Sequence, residues 1–232
     1  MIRERVLKRE TVENEASRVL DLYLRDYGGS LKLPVDVDII GELVFGLCWE
    51  WDIIEDTLIH QGQTEDNQKK SNNLIILAGL YPRQRKVVMN ELHVDLFNRK
   101  PGLERFTKGH EIGHWVLHID KDELDYPSLF DMVEGNLDPY NTVICRDGDN
   151  TWIERQANWF SAGLLMPKTI FIDAASRVDL NNWHNHYELA ERFGVTISAL
   201  GTRLNRFGLS YVDEQGQLHR SVSEAYGQKT LM

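Results

Sequence analysis

The sequence predicts an α+β fold, mainly helical, with a small sheet beside a central helix and a helix-turn-helix-like C-terminal subdomain. Three observations carry this expectation. Apolar residues recur at helical spacing before Gly28 and again after Pro101 and Thr151. Short runs rich in β-branched and aromatic residues lie between Cys48 and Leu92, bounded by polar and turn-forming segments. Two short amphipathic stretches flank Gly194 near the end of the chain.

Taken in order, Val12, Ala16, Val19, Leu20, Tyr23 and Tyr27 form one helical stripe, closed by Gly28-Gly29. After Pro34, either Asp36 or Asp38 is placed to cap a second helix carrying Ile39, Ile40, Leu43 and Val44. Residues 48–54, 74–78 and 86–92 read as strands. The polar run 63–73 separates the first two, and a Tyr-Pro-Arg-Gln turn precedes the third. Pro101 suits the first turn of a helix over 101–118, and a further helix over 151–166 is stopped by Pro167. From His184 to Leu209 two short helices break at Gly194-Val195, with Leu189, Ala190, Phe193, Ile197, Leu200 and Leu204 as their buried set. The expected division is a main domain over 1–180 and the C-terminal subdomain over 181–232, with the boundary between Val178 and Asn182.

A chain of 232 residues, 42% hydrophobic and 27% charged, has the composition of an ordinary globular domain with a small appendage. No stretch approaches the ~18 unbroken apolar residues of a membrane span. The first ten residues are charged and lack an apolar signal core, and Cys48 and Cys145 are far apart in sequence, outside any metal-like spacing. A cytoplasmic protein without a disulfide framework is expected. Net charge is −10, and the segment Asp120–Asn150 holds nine acids against Lys121 and Arg146. Such a field repels phosphate backbones and attracts basic polypeptides, which argues against nucleic acid as the main ligand. A solvated acidic loop is the preferred reading of the same run.

His110-Glu111-Ile112-Gly113-His114 carries the chemistry. Residues four apart on a helix share a face, so both imidazoles can reach one ion, with Glu111 rotated about 100° from the first. There its carboxylate can serve as a base for water. The alternative is an ordinary helix with two histidines and a solvated glutamate, but Phe106, Gly113 and Leu117 surround the pair with apolar or small residues. Gly113 costs roughly 1 kcal/mol against alanine in a helix, which implies a close packing partner.

Catalytic zinc takes three protein ligands and keeps an open position. His118 lies about 12 Å along the axis from His110, at ~1.5 Å per residue, too far for three rings to converge. Asp120 stands where a third ligand follows a glycine-assisted turn, but Leu117 occupies the glycine position. Glu154, on the later helix, is the third candidate. Asn158, one turn further on, can fix a ligand imidazole by hydrogen bonding. Thr151-x-x-Glu154 is also a capping box, in which the glutamate would bond its own helix start; the upstream histidine pair favours the ligand role.

The segments Arg105–His118, Glu154–Pro167 and Leu189–Val195, the last continuing through Leu204, resemble the ImmA/IrrE family of zinc metallopeptidases. The likeness extends over most of residues 13 to 210. It implies a Zn2+ ion held by His110, His114 and Glu154, with Glu111 as the catalytic base. It also implies a protein substrate, a helix-turn-helix transcriptional repressor, cut in stress response or mobile-element regulation. The acidic stretch between the first two segments is longer than the family usually has.

A second class of function is a DNA- or protein-binding regulator with a structural or sensory metal site, read from the helix pair over 187–207. Arg192, Arg203 and Arg206 are its basic residues, few for a duplex-binding face, so direct DNA binding is not favoured. Glu111 favours the enzyme, because a structural site needs no base beside its ligand. His184, His186 and Tyr187 are considered as oxyanion partners and read instead as surface residues.

Overall fold

The computed structural model describes residues 5–54, 75–124, 143–146 and 151–226. Most of the acidic segment, including Asp125, lies outside these residues. Helix α1 (Arg9–Tyr27) buries Val12, Ala16, Val19 and Leu20 along one stripe and ends where Gly28, at φ 79°, donates its N–H to the Leu24 carbonyl. Helix α2 (Val37–Phe45) starts at Asp36, whose Oδ1 accepts from Ile39 N–H at 3.1 Å, and closes on Gly46 in the left-handed region. Of the two expected caps, Asp36 is therefore the one used.

The sheet consists of β1 (Cys48–Asp52), β2 (Ile76–Tyr81), β3 (Lys86–Asn90) and β4 (Val143–Arg146), in the order β1-β3-β2-β4. Strand β1 runs parallel to β3, while β2 is antiparallel to both β3 and β4. The strand expected over 86–92 lies inside the sheet and offers no free edge to an extended peptide. Strand β3 is paired on both sides, so its backbone groups are committed to the ladder. Among the described strands, β1 and β4 are the edges. Strand β4 was not foreseen; it falls within the acidic run, where charge obscures a four-residue strand.

Helix α3 (Val94–Arg99) leads into α4 (Pro101–Leu117), which begins on proline as expected and is followed by the short α5 (Lys121–Leu124). Helix α6 (Trp152–Leu165) lies against α4 and α1. After Pro167 come α7 (Lys168–Ser176), α8 (Trp183–Phe193) and α9 (Ile197–Arg206), then a two-stranded ribbon, β5 (Tyr211–Val212) with β6 (Leu218–His219), and α10 (Val222–Ala225). The fold is thus α+β and mainly helical.

One buried cluster runs through Val12 of α1, Ile112 of α4, Phe160 and Leu164 of α6, Phe171 of α7, Phe193 of α8 and Leu204 of α9. Burying each such side chain contributes roughly 1.5–3 kcal/mol. Gly194 ends α8 at φ 63° and sits against Pro34, while Gly102 at the start of α4 meets the Val195 backbone. A Cβ at Gly102 would come within 2.5 Å of the Val195 carbonyl carbon. The turn of the C-terminal helix pair is therefore seated on the start of the central helix.

Candidate metal centre

Helix α4 is buried continuously from Thr107 to Trp115, which places its histidines inside the molecule. Two glycines explain how a second helix comes so close. A Cβ on Gly109 would lie 2.7 Å from Ser161 Oγ, and one on Gly113 would lie 3.1 Å from Phe160 Cβ and 3.2 Å from the Ala157 Cα. Each glycine immediately precedes a histidine. The groove they leave admits α6, and the first turn of α6 carries Glu154.

His110 and His114 lie on one face of α4 with their Nε2 atoms 2.8 Å apart. Glu154 spans the pair: Oε2 is 3.0 Å from His110 Nε2 and Oε1 is 3.2 Å from His114 Nε2. The carboxylate is thus turned to the histidines, where the capping-box reading would have turned it to its own helix start. The three residues are buried and form a group able to hold a metal ion. Neither His118 nor Asp120 belongs to that group.

Both rings are held from behind. Asn158 Oδ1 lies 2.9 Å from His110 Nδ1; an amide oxygen only accepts, so Nδ1 carries a proton, and in the neutral ring Nε2 is the nitrogen left to ligate. His114 Nδ1 lies 3.0 Å from His118 Nδ1. Two imidazole Nε2 atoms and a carboxylate converging on one point call for a cation between them, a proton or a metal ion. Ligands bound at ~2.0–2.1 Å around a tetrahedral ion stand about 3.3 Å apart, within about half an ångström of the 2.8, 3.0 and 3.2 Å separations found. The donor set therefore fits zinc, among other ions that accept imidazole and carboxylate.

The electrostatics are lopsided. Burial pushes the Glu154 carboxyl up, but its bonds to His110 and His114 outweigh burial and hold it well below the usual range. Glu111 has no such partners. Burial pushes it up to about 8, with His110 pulling it down in part and Glu154 adding to the rise. Both Glu111 oxygens are buried without a hydrogen-bond partner, a costly arrangement for a charged group. Burial, reinforced by His114, holds His118 down at about 3.

Of the residues singled out in the sequence, His110, His114 and Glu154 converge on one point, Asn158 bonds His110, and Glu111 lies within electrostatic reach of His110 and Glu154. His118, weighed there only as a metal ligand, enters as the neighbour of one. Its signal was visible as the continuation of the i, i+4 histidine series. Gln156 was not foreseen: it is buried beside the centre, donates from Nε2 to the Arg5 and Trp152 carbonyls, and accepts from Leu7 N–H. His186 is buried, contrary to the expectation of a surface residue, with Nε2 2.9 Å from the Leu180 carbonyl oxygen. Tyr187 is exposed, and His184 is an exposed partner of Glu188.

Arg203 is also internal. Its Nη1 donates to Glu13 Oε1 and its Nη2 to the Met166 carbonyl, each at 2.9 Å. This removes one of the three basic residues counted toward a DNA-binding face. Among the described residues no helix is long and apolar enough to cross a membrane.

No curated protein matches the chain. One similar solved structure is a Mycobacterium tuberculosis transcriptional regulator, 16% identical, with a TM-score of 0.48. The match covers 90% of this chain and 53% of that protein, so the chain spans about half its length. Residues 97–205, which include α4, α6 and every residue of the centre, match the IrrE N-terminal-like domain, a peptidase domain. Residues 97–205 thus carry an IrrE N-terminal-like domain, in agreement with the ImmA/IrrE resemblance of the sequence.

Proposed function

We propose that this chain is a zinc-dependent endopeptidase that hydrolyses a peptide bond in a protein substrate. The observation that carries the reading is a buried Glu111 without hydrogen-bond partners, next in sequence to a convergent His110, His114 and Glu154. Those three residues would hold the ion, and Asn158 orients the His110 ring. When bound, zinc supplies a Lewis acid for the scissile carbonyl and lowers the pKa of water. Glu111 takes a proton from the attacking water as oxygen bonds to the carbonyl carbon, then returns it to the amine as the C–N bond breaks. No covalent link to the enzyme forms.

Glu111 is buried within electrostatic reach of His110 and Glu154, where a bound cation would favour its ionised form, the form that accepts a proton. We take the substrate to be a helix-turn-helix transcriptional repressor. Two features support this choice: the family resemblance, and a net charge of −10 that favours a partner with a basic surface. The regulator alternative loses ground with Arg203 buried, since Arg192 and Arg206 remain as its basic residues.

The test is incubation with a repressor encoded beside this gene, in zinc, in chelator, and with Glu111→Gln. One discrete cut in zinc, abolished by chelator and by Glu111→Gln, is expected. Cleavage that persists in both would refute the mechanism.

A further inference from the structure

Two histidines present their Nε2 atoms to the centre, yet they are held from behind by different chemistry. Behind His110 stands an amide oxygen, which fixes the direction of the hydrogen bond. Behind His114 stands another imidazole, His118, whose Nδ1 can either give or accept a proton. This pairing is built into the fold. His118 is fully buried, its backbone N–H bonds the His114 carbonyl at 2.9 Å, and its ring lies 5.1 Å from the His114 ring, centroid to centroid.

We propose that His118 is the positioning residue for His114: its bare Nδ1 accepts the Nδ1–H of His114 and keeps His114 Nε2 free to ligate. The inference rests on the metal-centre reading above. The reverse polarity would put the His114 proton on Nε2, the atom facing His110 Nε2 at 2.8 Å and Glu154 Oε1 at 3.2 Å. A protonated nitrogen cannot bind a metal, so only one direction of the His114–His118 bond is compatible with an occupied centre.

With Nδ1 accepting, the His118 proton resides on Nε2. That atom has no partner at hydrogen-bonding geometry; its polar neighbour is the Gln156 side chain. Gln156 is held in turn by the backbone of Arg5 and Leu7. The third histidine of the series is therefore a support for the second, on the side away from the ion.

The test compares zinc affinity, by competition with a chromophoric chelator, in the full chain and in His118→Leu, His118→Asn and His118→Gln. Cobalt-substituted protein supplies a visible spectrum that reports ligand geometry independently of turnover. His118→Leu is expected to weaken zinc binding roughly 10–100-fold and to shift the cobalt absorption. His118→Asn, which places an amide oxygen near the Nδ1 position, is expected to restore affinity to within a few-fold. Zinc affinity within twofold of the parent in a folded His118→Leu, with an unchanged cobalt spectrum, would overturn the proposal.

Should the leucine variant not fold, the amide pair decides. Asparagine reaches the Nδ1 position and glutamine the Nε2 position, so at least tenfold tighter binding by asparagine is expected, and equal binding overturns the role. His110→Ala is the control for the centre itself. If it binds zinc as tightly as the parent, the metal-centre reading fails and this inference falls with it.

Discussion

Asn158 Oδ1 accepts the Nδ1–H of His110 across the contact between α4 and α6, 2.9 Å apart in space and 48 residues apart in sequence. The bond sets the tautomer of a metal ligand from a different helix, so closure of the two helices and readiness of the ligand are one event. Asn158→Leu removes the acceptor and keeps the bulk. Zinc affinity measured by chelator competition is expected to fall roughly 10–100-fold, with little change in the unfolding midpoint.

Glu154 separates two roles that the sequence left in competition. Glutamine serves a capping box as well as glutamate does, but an amide is a poor substitute for a carboxylate ligand. Glu154→Gln is therefore expected to keep the fold while bound zinc, measured by elemental analysis, falls from about one ion per chain to near none. Retained zinc would return Glu154 to the cap.

Gly113→Ala sets two effects against each other. Alanine improves helix propensity by roughly 1 kcal/mol. Its methyl would press on Phe160 Cβ at 3.1 Å and on the Ala157 backbone at 3.2 Å, and overpacking costs about 1–3 kcal/mol. The packing effect is expected to win, giving lower stability in urea titration together with weaker zinc binding, because the helix that carries Glu154 is displaced. A stabilised variant with unchanged zinc affinity would mean that α6 is not held by this contact.

The pH dependence of the metal-free protein follows from Glu111. Its folded pKa of about 8 lies above the ordinary 4.5, so its contribution to stability is fully present below 4.5 and is lost as pH rises through 8. His118 acts in the opposite sense, since its pKa is depressed to about 3 from 6.5; its effect is complete above 6.5. Between pH 6.5 and 8 the Glu111 slope stands clear of His118. Denaturant unfolding in chelator is expected to show stability falling across that window, and Glu111→Gln is expected to flatten the slope.

Arg203 ties α9 to α1 through Glu13 and to the end of α6 through the Met166 carbonyl. Its guanidinium also lies over the Phe207 ring, 4.7 Å from the centroid. Arg203→Met removes the hydrogen bonds while Glu13 keeps its contact with Arg9 at 3.1 Å. The expected cost is about 1–3 kcal/mol in urea titration, without loss of zinc binding. A drop in zinc affinity would show that the C-terminal helices reach into the centre.

Much of this architecture was legible because local signals were strong. Pro101, Asp36, Gly28 and Pro167 mark helix limits through steric and capping effects that need no tertiary context. Gly113 announced a close partner by its cost in a helix, and the partner proved to be Ala157 and Phe160. What stayed hidden depended on assembly. The interior position of β3 follows from β1 joining it in parallel, a pairing without a local turn signature. Arg203 reads as a surface cation until Glu13, 190 residues away in sequence, is brought beside it. His118 could be excluded as a ligand by distance along the helix, but its contact with His114 depended on which way the ring turned.

The centre itself is tested most directly by anomalous diffraction at the zinc absorption edge, from crystals of the full chain grown with zinc. One strong peak is expected in contact with His110 Nε2, His114 Nε2 and the Glu154 carboxylate, absent from His110→Ala crystals. A zinc peak located elsewhere, or none at this point at saturating zinc, would contradict the metal-centre reading.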